Sequence, residues 1–337
     1  MEMHQLGNSG LLVSELCLGT MIFGEESERS TPAATARELI ARYLDAGGNF
    51  IDTANVYAGG RSEEIVGDAL RGRRDAAIVA TKVRMRTGER ANDIGLSRRH
   101  IIQEVENSLR RLQTDYIDLY YAHMWDPLTP IAETLRAFDD LITAGKVRYI
   151  GASNFKAWQL MKALSTSDGH GWARFVAAQF QHSLVVRDIE REFTGLFLAE
   201  GIGSVPWGPL GGGFLSGKYR RGERPEEPDQ GRLATTPDAD EEAWHRRATE
   251  RNWRIIDAVG AVAEAREKSY AQVALRWLLQ RPEVSSVIIG VRTPEQLEDN
   301  LGAAGWTLAP AEIEKLDEAA AIEWGYPYRM MELYGQR

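Results

Sequence analysis

Short apolar runs alternate with amphipathic segments along most of this chain. Eight of the runs are continuously apolar, a pattern typical of strands that are covered on both faces. Between them, apolar residues recur at helical spacing, as at Ile101, Val105, Leu109 and Leu112. The predicted strands span residues 15–21, 49–53, 77–83, 117–122, 147–152, 175–180, 203–207 and 284–289.

Predicted helices separate these strands and are bounded by start and stop signals such as Pro32 and the Gly47-Gly48 pair. Strands that alternate with helices imply right-handed βαβ units and a parallel sheet. The predicted helices cover residues 32–46, 61–71, 97–112, 130–144, 188–200, 251–280 and 294–304, with a further helix starting near residue 155.

Eight strand–helix units favour an α/β fold of the (β/α)8 TIM-barrel type. The barrel is expected to follow an N-terminal β-hairpin, which turns at residues 7–10, and to carry a long loop after strand 7. The whole chain, residues 1–337, is interpreted as one barrel domain. A doubly wound open sheet is the alternative, but the first strand leads into LGTMIFG rather than G-x-G-x-x-G.

Composition narrows the class of protein. The chain has 337 residues, of which 43% are hydrophobic, and a net charge of -9, which argues against a general surface for nucleic acid. No apolar run approaches the roughly 18 residues of a membrane span, and MEMHQLGNSG does not resemble a secretory signal. We therefore expect a cytoplasmic protein without membrane or nucleic-acid partners. The single cysteine, Cys17, is interpreted as a core residue, and no metal site is expected.

Two segments depart from the regular alternation. Residues 211–250 begin with three glycines and continue through RRGERPEEPDQGR to a charged stretch, so they are predicted to form a mobile loop above the barrel or an insertion without function. The tail at residues 324–328 is aromatic. It is expected either to cover a substrate opening or to dock on the barrel wall.

Polar side chains stand at the ends of three successive predicted strands. Asp52 and Tyr57 follow the second strand, Lys82 ends the third and His123 ends the fourth. In a parallel barrel the carboxyl ends of the strands converge on one face, where catalytic groups collect. A buried Asp52 needs a cationic partner, and Lys82 is the candidate.

These four residues can form a proton-delivery group for a carbonyl that is being reduced. A nearby lysine charge favours ionisation of a tyrosine, so Lys82 is expected to lower the pKa of Tyr57. Asp52 would orient Lys82, and a neutral His123 would position the carbonyl oxygen. Taken singly, each residue has a simpler interpretation: a loop aromatic, a structural ion pair and a core histidine.

The resemblance to a known family rests on seven motifs that span most of the chain: DTANVYAGGRSEEIVGDAL, IVATKV, YIDLYYAHMWD, GASNF, QFQHSLVVRDIE, PWGPLGGGFLSGKY and IIGVRTPEQLEDNLGA. In this order they resemble the aldo-keto reductases. The resemblance implies a (β/α)8 barrel that reduces aldehydes and ketones with a nicotinamide cofactor, usually NADPH. It also implies a catalytic tetrad of Asp52, Tyr57, Lys82 and His123. Independently of the resemblance, Trp125 lies in a predicted loop above the barrel and is expected to line an apolar substrate pocket.

The same resemblance implies a cofactor site made by strand ends and one glycine-rich loop. Ser153, Asn154 and Gln179 match the positions that hold the nicotinamide carboxamide, and Trp207 matches the ring that stacks on the nicotinamide. The remaining positions carried over from the family are Gly19, Thr20, Met21, Asp52, Gly208, Leu210, Gly212, Lys218, Gly290, Arg292, Gln296 and Asn300.

Four positions depart from the common family pattern. Gly290 and Val291 stand where many members have a Lys-Ser pair, and Gln296 stands where many have Arg. Arg292 is the expected partner of an adenosine 2'-phosphate, so NADPH is favoured and NADH remains the alternative. Ala58 replaces a glycine that commonly follows the tyrosine.

The leading functional hypothesis is an NADPH-dependent reductase of a small-molecule aldehyde or ketone. One alternative is a non-catalytic, cofactor-binding regulatory member of the same family, like potassium-channel β-subunits. Another is an unrelated barrel that forms a Schiff base on Lys82. The sequence leaves open the substrate, the physiological direction and the oligomeric state.

Overall fold

The computed structural model describes residues 1–24 and 30–335, which include ten strands. Two form the predicted antiparallel hairpin and eight form one parallel sheet. The strands are β1 (Met3–Gln5), β2 (Leu12–Ser14), β3 (Leu16–Gly19), β4 (Phe50–Asp52), β5 (Ile78–Val83), β6 (Ile117–Ala122), β7 (Val147–Ser153), β8 (Phe175–Gln179), β9 (Gly203–Ser204) and β10 (Val287–Gly290).

The parallel sheet is the predicted (β/α)8 barrel. Its strand order is β10-β3-β4-β5-β6-β7-β8-β9, so each strand pairs with its neighbour in sequence and β10 returns to β3. The two ends of this order meet near Ser204, whose N–H donates to the Glu283 carbonyl at 2.8 Å, while Ser285 N–H donates to the Ser204 carbonyl at 2.9 Å. These bonds join β9 to the segment before β10 and close the barrel.

A separate apolar core fills the barrel interior. Inward-facing residues of the strands pack there with Leu6 and Val13 of the hairpin, and all of them are buried. The hairpin lies across the amino ends of the strands, because Asn8 N–H donates to the Gly201 carbonyl at 2.7 Å and Gly7 N–H bonds Ser285 at 3.3 Å. Cys17 is fully buried in this inner core, as predicted.

Helices surround the sheet and bury a second, larger core against its outer face. The α-helices are α1 (Ala33–Asp45), α2 (Arg61–Ala69), α3 (Arg98–Leu112), α4 (Ile131–Thr143), α5 (Ala157–His170), α6 (Phe193–Glu200), α7 (Arg232–Thr235), α8 (Trp244–Arg247), α9 (Glu250–Arg266), α10 (Tyr270–Leu279), α11 (Pro294–Leu301), α12 (Pro310–Ala319) and α13 (Tyr328–Tyr334). Short 3-10 helices occur at Tyr57–Gly60, Arg74–Ala76, Asp188–Arg191, Phe214–Ser216 and Pro228–Gln230.

The predicted helical block at 251–280 is two helices rather than one. Glu267 ends α9 in a left-handed conformation, with φ of 52°. Ser269 then starts α10 with a capping box, because its side chain accepts from Gln272 N–H while the Gln272 side chain accepts from Ser269 N–H. Helices α12 and α13 were not predicted.

Residues 211–250 form a packed structure with short helices rather than an irregular insertion. Phe214 lies 4.7 Å from Trp253 of α9 between ring centres, and Tyr219 lies 5.7 Å from Trp244. These four aromatic side chains are all buried. The segment is therefore anchored to the outer core by aromatic packing, while its predicted mobility stays a prediction.

The aromatic tail docks on the outer helical layer. Tyr328 donates a hydrogen bond of 2.7 Å to Glu192, and Arg191 donates one of 2.8 Å to the Glu323 carbonyl. Trp324 packs edge-on against Tyr328 and under the Arg191 guanidinium. Of the two expectations for this tail, docking on the barrel wall fits the contacts.

Phe214→Ala is expected to destabilise the protein by about 3–5 kcal/mol, because it removes the ring at the centre of the aromatic anchor. Limited proteolysis of this variant should cut within residues 217–243 faster than in the wild type. Leu198→Ala is the matched control, since Leu198 is 54% exposed. Equal unfolding free energies for the two variants, from chemical denaturation, would contradict the anchoring role.

Candidate functional site

The candidate site lies at the carboxyl ends of the strands, directly above the inner core. Residues two apart on a strand face the same side, so the residue two positions after an inward core residue also faces the barrel axis. In four places an inward-facing core residue is followed two positions later by a polar or aromatic residue of the site: Phe50 by Asp52, Ala80 by Lys82, Ala177 by Gln179 and Val205 by Trp207.

Asp52 and Lys82 form a buried ion pair at the centre of this site. Lys82 Nζ donates to Asp52 Oδ1 and to the Thr53 carbonyl oxygen, the latter at 2.8 Å. The other carboxylate oxygen of Asp52 accepts a bond of 2.7 Å from the Gln179 amide. Lys82 is 0% exposed and Asp52 is 3% exposed. Each charge therefore has both an opposite charge and further hydrogen bonds, which is the condition for burying an ion pair.

Tyr57 reaches this pair from the loop after β4. Its hydroxyl lies 3.2 Å from Lys82 Nζ, and that nitrogen is 4.8 Å from the centre of the tyrosine ring. The loop turns tightly, because Ala58, Gly59 and Gly60 have φ of 49°, 63° and 99°. A positive φ is costly for a residue with a side chain, so Ala58 occupies a position where the glycine expected from the resemblance would cause less strain.

Burial and the ion pair together set the protonation of these groups. Burial raises the pKa of Asp52, and the Lys82 charge opposes that rise. Burial acts to lower the pKa of Lys82, but Asp52 and Tyr57 outweigh it, so the pKa is raised and the ammonium stays charged. Burial also raises the pKa of Tyr57, and the Lys82 charge only partly opposes it. Tyr57 is thus a neutral phenol at neutral pH. The lowering effect expected of Lys82 on the pKa of Tyr57 is present, but the effect of burial is larger.

His123 stands beside Tyr57 as a neutral imidazole. The two rings are 6.0 Å apart between centres and nearly perpendicular, at 81°. Burial, and then the positive charges of Lys82 and Arg84, lower the pKa of His123 to about 3. His123 Nδ1 is buried and has no hydrogen-bond partner among the described residues. The structure therefore brings all four predicted catalytic residues to one place.

Ser153 and Asn154 extend the site along the ends of β7 and β8. The Asn154 amide donates bonds of 2.9 Å to the His123 carbonyl oxygen and to the Ser153 hydroxyl oxygen. Ser153 in turn donates to the Gln179 carbonyl at 2.7 Å. Asn154 has φ of 55°, an unusual conformation that these bonds support. The three predicted carboxamide-binding residues thus form one connected group.

Trp207 and the glycine-rich loop lie on the far side of the barrel mouth. Trp207 is part-exposed, and its backbone pairs with Gln181. Gly208 and Gly212 both have positive φ, while Leu210 is part-exposed. The side-chain nitrogen of Gln181 is buried without a partner among the described residues, 3.6 Å from where a Cβ on Gly208 would stand. Lys218 is exposed and packs near Gly213.

Arg232 and Glu242 are site residues that the sequence analysis missed. Glu242 is 2% exposed, and its carboxylate lies 2.7 Å from the Arg232 guanidinium. A Cβ on Gly208 would lie 3.2 Å from Glu242. The positive charge of Arg232 acts to lower the pKa of Tyr57, against the raising effect of burial. Residues 211–250 therefore bring charged groups over the barrel mouth. Their segment has no periodic pattern, so no local signal marked these two residues.

The segment after β10 lies at the same face of the barrel. Gly290 is exposed and has open space around it, and Arg292 is part-exposed. The side-chain oxygen of Gln296 accepts a hydrogen bond of 2.9 Å from the Arg292 N–H, so this oxygen is already used within the turn before α11. Asn300 is 5% exposed. Thr293 caps helix α11 by accepting a hydrogen bond from Gln296 N–H. The amino end of this helix therefore lies at the same face of the barrel.

Gly19 ends β3 and is followed by Thr20 and Met21, and these three residues differ in their contacts. The Thr20 hydroxyl is fully buried and donates 3.0 Å to the Asp52 carbonyl, so it holds β3 against β4. Gly19 packs closely on β10, because a Cβ there would lie 2.7 Å from Ile288. Met21 is part-exposed at the barrel mouth. Only Met21 of the three offers a free side chain to a ligand.

An aromatic wall flanks the site next to His123. Trp125 packs edge-on against Phe155 at 5.2 Å and tilted against Trp158 at 5.9 Å. Trp158 remains 58% exposed, and Leu128 nearby in sequence is 92% exposed. The predicted substrate residue Trp125 therefore belongs to a larger apolar surface.

The described residues contain neither a metal site nor a helix that could span a membrane. None of the groupings of His, Cys, Asp and Glu within residues 1–24 and 30–335 could hold a metal ion. Over the same ranges, no helix combines the length and the apolar character that a bilayer span requires.

A sequence model of the Aldo/keto reductase family matches residues 15–321. The match covers the whole barrel and each element of the site. The chain belongs to the aldo/keto reductase family. The family resemblance inferred from the motifs is thus confirmed, as is the (β/α)8 fold.

Individual relatives fall into two groups by name. The chain is 37% identical over 331 residues to norsolorinic acid reductase stcV of Emericella nidulans, covering 95% of this chain and 81% of that protein. It is 33% identical over 346 residues to versiconal hemiacetal acetate reductase of Aspergillus parasiticus, covering 94% and 96%. It is also 35% identical over 324 residues to a probable voltage-gated potassium channel subunit beta of Oryza sativa subsp. japonica, covering 94% and 96%.

His123→Gln is expected to flatten the acid side of the stability profile. Because the pKa of His123 is lowered from 6.5 to about 3 on folding, the unfolded chain binds the proton first as the pH falls below 6.5. The wild type should then lose up to about 1.4 kcal/mol more unfolding free energy per pH unit than the variant, down to about pH 4. Parallel profiles in urea denaturation would show that His123 titrates normally.

Proposed function

We propose that this protein is an NADPH-dependent oxidoreductase that reduces an aldehyde or ketone to the alcohol. The observation that carries the proposal is the contact of Tyr57 with the buried Lys82–Asp52 pair, with neutral His123 alongside. A hydroxyl donor and an imidazole donor then face the same opening. This arrangement suits a carbonyl oxygen that gains negative charge during the reaction.

Tyr57 gives the proton in the proposed mechanism. Because its pKa is raised, the phenol is protonated at neutral pH and is available as a general acid. Lys82 lies within hydrogen-bond distance of the hydroxyl and its positive charge stabilises the tyrosinate left behind. Asp52, Thr53 and Gln179 fix Lys82 and its partner, so the charge is in place before the reaction begins.

His123 orients the carbonyl oxygen. An imidazole with a pKa of about 3 is neutral at physiological pH and so carries one N–H donor. It can therefore donate a hydrogen bond without competing with Tyr57 as the acid. The Asn154 bond to the His123 backbone carbonyl holds this residue in position.

The described residues fit a nicotinamide dinucleotide. Ser153, Asn154 and Gln179 offer amide and hydroxyl groups at strand ends, and Trp207 offers a ring face. The unpartnered Gln181 amide beside Gly208 provides a donor where a phosphate would need one. When bound, such a cofactor supplies the hydride for the carbonyl carbon. Arg292, at the amino end of α11, is proposed to hold the 2'-phosphate of NADPH.

Two observations weigh on the alternatives. Lys82 is fully buried, paired with Asp52 and held charged, so it lacks the free amine that a Schiff-base enzyme needs. The regulatory alternative is supported by the relative named as a potassium channel subunit.

The aromatic wall at Trp125 and Trp158 supports an apolar or aromatic carbonyl substrate.

The test follows absorbance at 340 nm with NADPH against aromatic aldehydes, dicarbonyls, sugars and cyclic ketones. Wild-type protein should oxidise NADPH with at least one class, and Tyr57→Phe should abolish turnover, because the variant has no proton to give. Cofactor affinity, measured by fluorescence, should be nearly the same in both. Tight NADPH binding without any turnover would favour the regulatory alternative, and ordinary kcat in Tyr57→Phe would show that another group is the acid.

Arg292→Ala should raise the KM for NADPH by about tenfold, which corresponds to the loss of one charged contact with phosphate. The KM for NADH should not change, since NADH has no 2'-phosphate. Arg254→Ala, a charge removal on α9, serves as the control for net charge. Equal KM values for NADPH and NADH in the wild type would contradict the proposed role of Arg292.

A further inference from the structure

A buried polar network lies behind the loop that carries Tyr57. Glu104, Asn107 and Arg111 stand on one face of α3, at the three- and four-residue spacing of neighbours on a helix. Glu104 is 1% exposed, although a carboxylate is seldom buried so fully without a function or a full set of partners. Nothing in the proposed mechanism uses this residue.

Glu104 holds the Tyr57 loop through Asn55. The Asn55 amide donates a bond of 2.7 Å to Glu104 Oε2, across 49 residues of sequence. Asn55 is 2% exposed and stands two residues before Tyr57. The other carboxylate oxygen, Oε1, accepts a bond of 2.7 Å from Asn107, which does not belong to the loop. One carboxylate thus ties the loop to the middle of a long helix.

Arg111 supports the other end of the same loop. It donates to Glu63 at 2.6 Å, and Glu63 accepts a bond of 2.5 Å from Thr81, the residue before Lys82. The Arg111 side chain also packs on Gly60, where a Cβ would stand only 2.7 Å from its Cδ. Helix α3 therefore contacts both the loop of Tyr57 and the strand of Lys82.

The loop needs such support because its own backbone gives little. Residues 58–60 have positive φ in succession. The backbone bonds that support this turn are all local: Tyr57 N–H donates to the Ala54 carbonyl and Gly59 N–H to the Val56 carbonyl, both at 3.1 Å, and Arg61 N–H donates to the Tyr57 and Ala58 carbonyls. The Asn55 N–H reaches the Lys82 carbonyl only at 3.4 Å. A strained turn persists only where its surroundings determine it.

We propose that Glu104 is a positioning residue for Tyr57, which it keeps within reach of Lys82 and His123 by fixing Asn55. This inference rests on the proposed role of Tyr57 as the acid. Its alternative is that Glu104 and Asn107 merely stabilise α3 against the barrel.

Two removal variants and two controls separate these alternatives. Asn55→Ala and Glu104→Leu both break the link between α3 and the loop, from opposite ends. Asn107→Leu removes the other partner of Glu104 without touching the loop. Glu104→Gln keeps an acceptor for the Asn55 amide and is expected to retain most of the wild-type behaviour.

Steady-state kinetics give the first readout. Both removal variants should lower kcat by about tenfold to a hundredfold, since small displacements of a reacting group have effects of this size. The KM for NADPH should stay within twofold of the wild-type value (about the scatter of such measurements), because none of the proposed cofactor residues belongs to the network. Asn107→Leu and Glu104→Gln should keep near-normal kcat.

The second readout does not depend on turnover. Protein labelled with carbon-13 at the tyrosine Cζ gives a Tyr57 signal, which is assigned as the one missing in Tyr57→Phe. In Asn55→Ala and Glu104→Leu this signal should move in the direction that Lys82→Met produces, because the hydroxyl has lost its contact with the ammonium. In Asn107→Leu it should stay in place.

A Tyr57 signal that stays in place in both removal variants, with their fold verified by circular dichroism, would overturn the proposal. So would an equal effect of Asn107→Leu, which would make the role of Glu104 structural. If the wild type reduces no carbonyl compound, the proposed function fails, while the Tyr57 signal still decides whether Glu104 positions the ring.

Discussion

The buried ion pair of Lys82 and Asp52 is the interaction on which the site depends. Neither charge would be tolerated alone in this position, because an unpaired buried charge is strongly destabilising. The pair requires the ends of β4 and β5 to lie side by side, and the Gln179 bond to Asp52 adds the end of β8 from across the barrel. The barrel satisfies these requirements together, since its closure brings strands distant in sequence to one axis.

This ion pair also separates the protonation states of the groups around it. The same Lys82 charge that opposes the burial effect on Tyr57 adds to the burial effect on His123. Burial is the larger cause in both cases, so a protonated phenol and an uncharged imidazole stand 6.0 Å apart between ring centres. The arrangement follows the general rule that acid and base assignments come from environments that push pKa values apart.

Support for the site comes from outside the barrel axis. Helix α3 contacts the Tyr57 loop through Glu104 and Arg111, and residues 211–250 bring Arg232 and Glu242 over the mouth. The opposite end of the barrel is covered by the hairpin, whose Leu6 and Val13 pack on the inner core. The candidate site and the hairpin thus lie at opposite ends of the barrel, and barrels of this type generally carry their active sites at the carboxyl ends of the strands.

The sequence by itself determined the eight strands, their alternation with helices and the four residues at the strand ends. Those features are local, because apolar period, glycine stops and a polar residue after an apolar run can all be read within a few positions. Only the tertiary structure decided which side chains meet. Glu104 looks like an ordinary polar residue of α3, yet it accepts a bond from Asn55 in the Tyr57 loop. Arg232 lies in a segment without any periodic pattern, yet its charge acts on the pKa of Tyr57 from far along the chain. Contacts over such separations depend on how the barrel closes and how α3 and the insertion pack on it, and no local pattern records that.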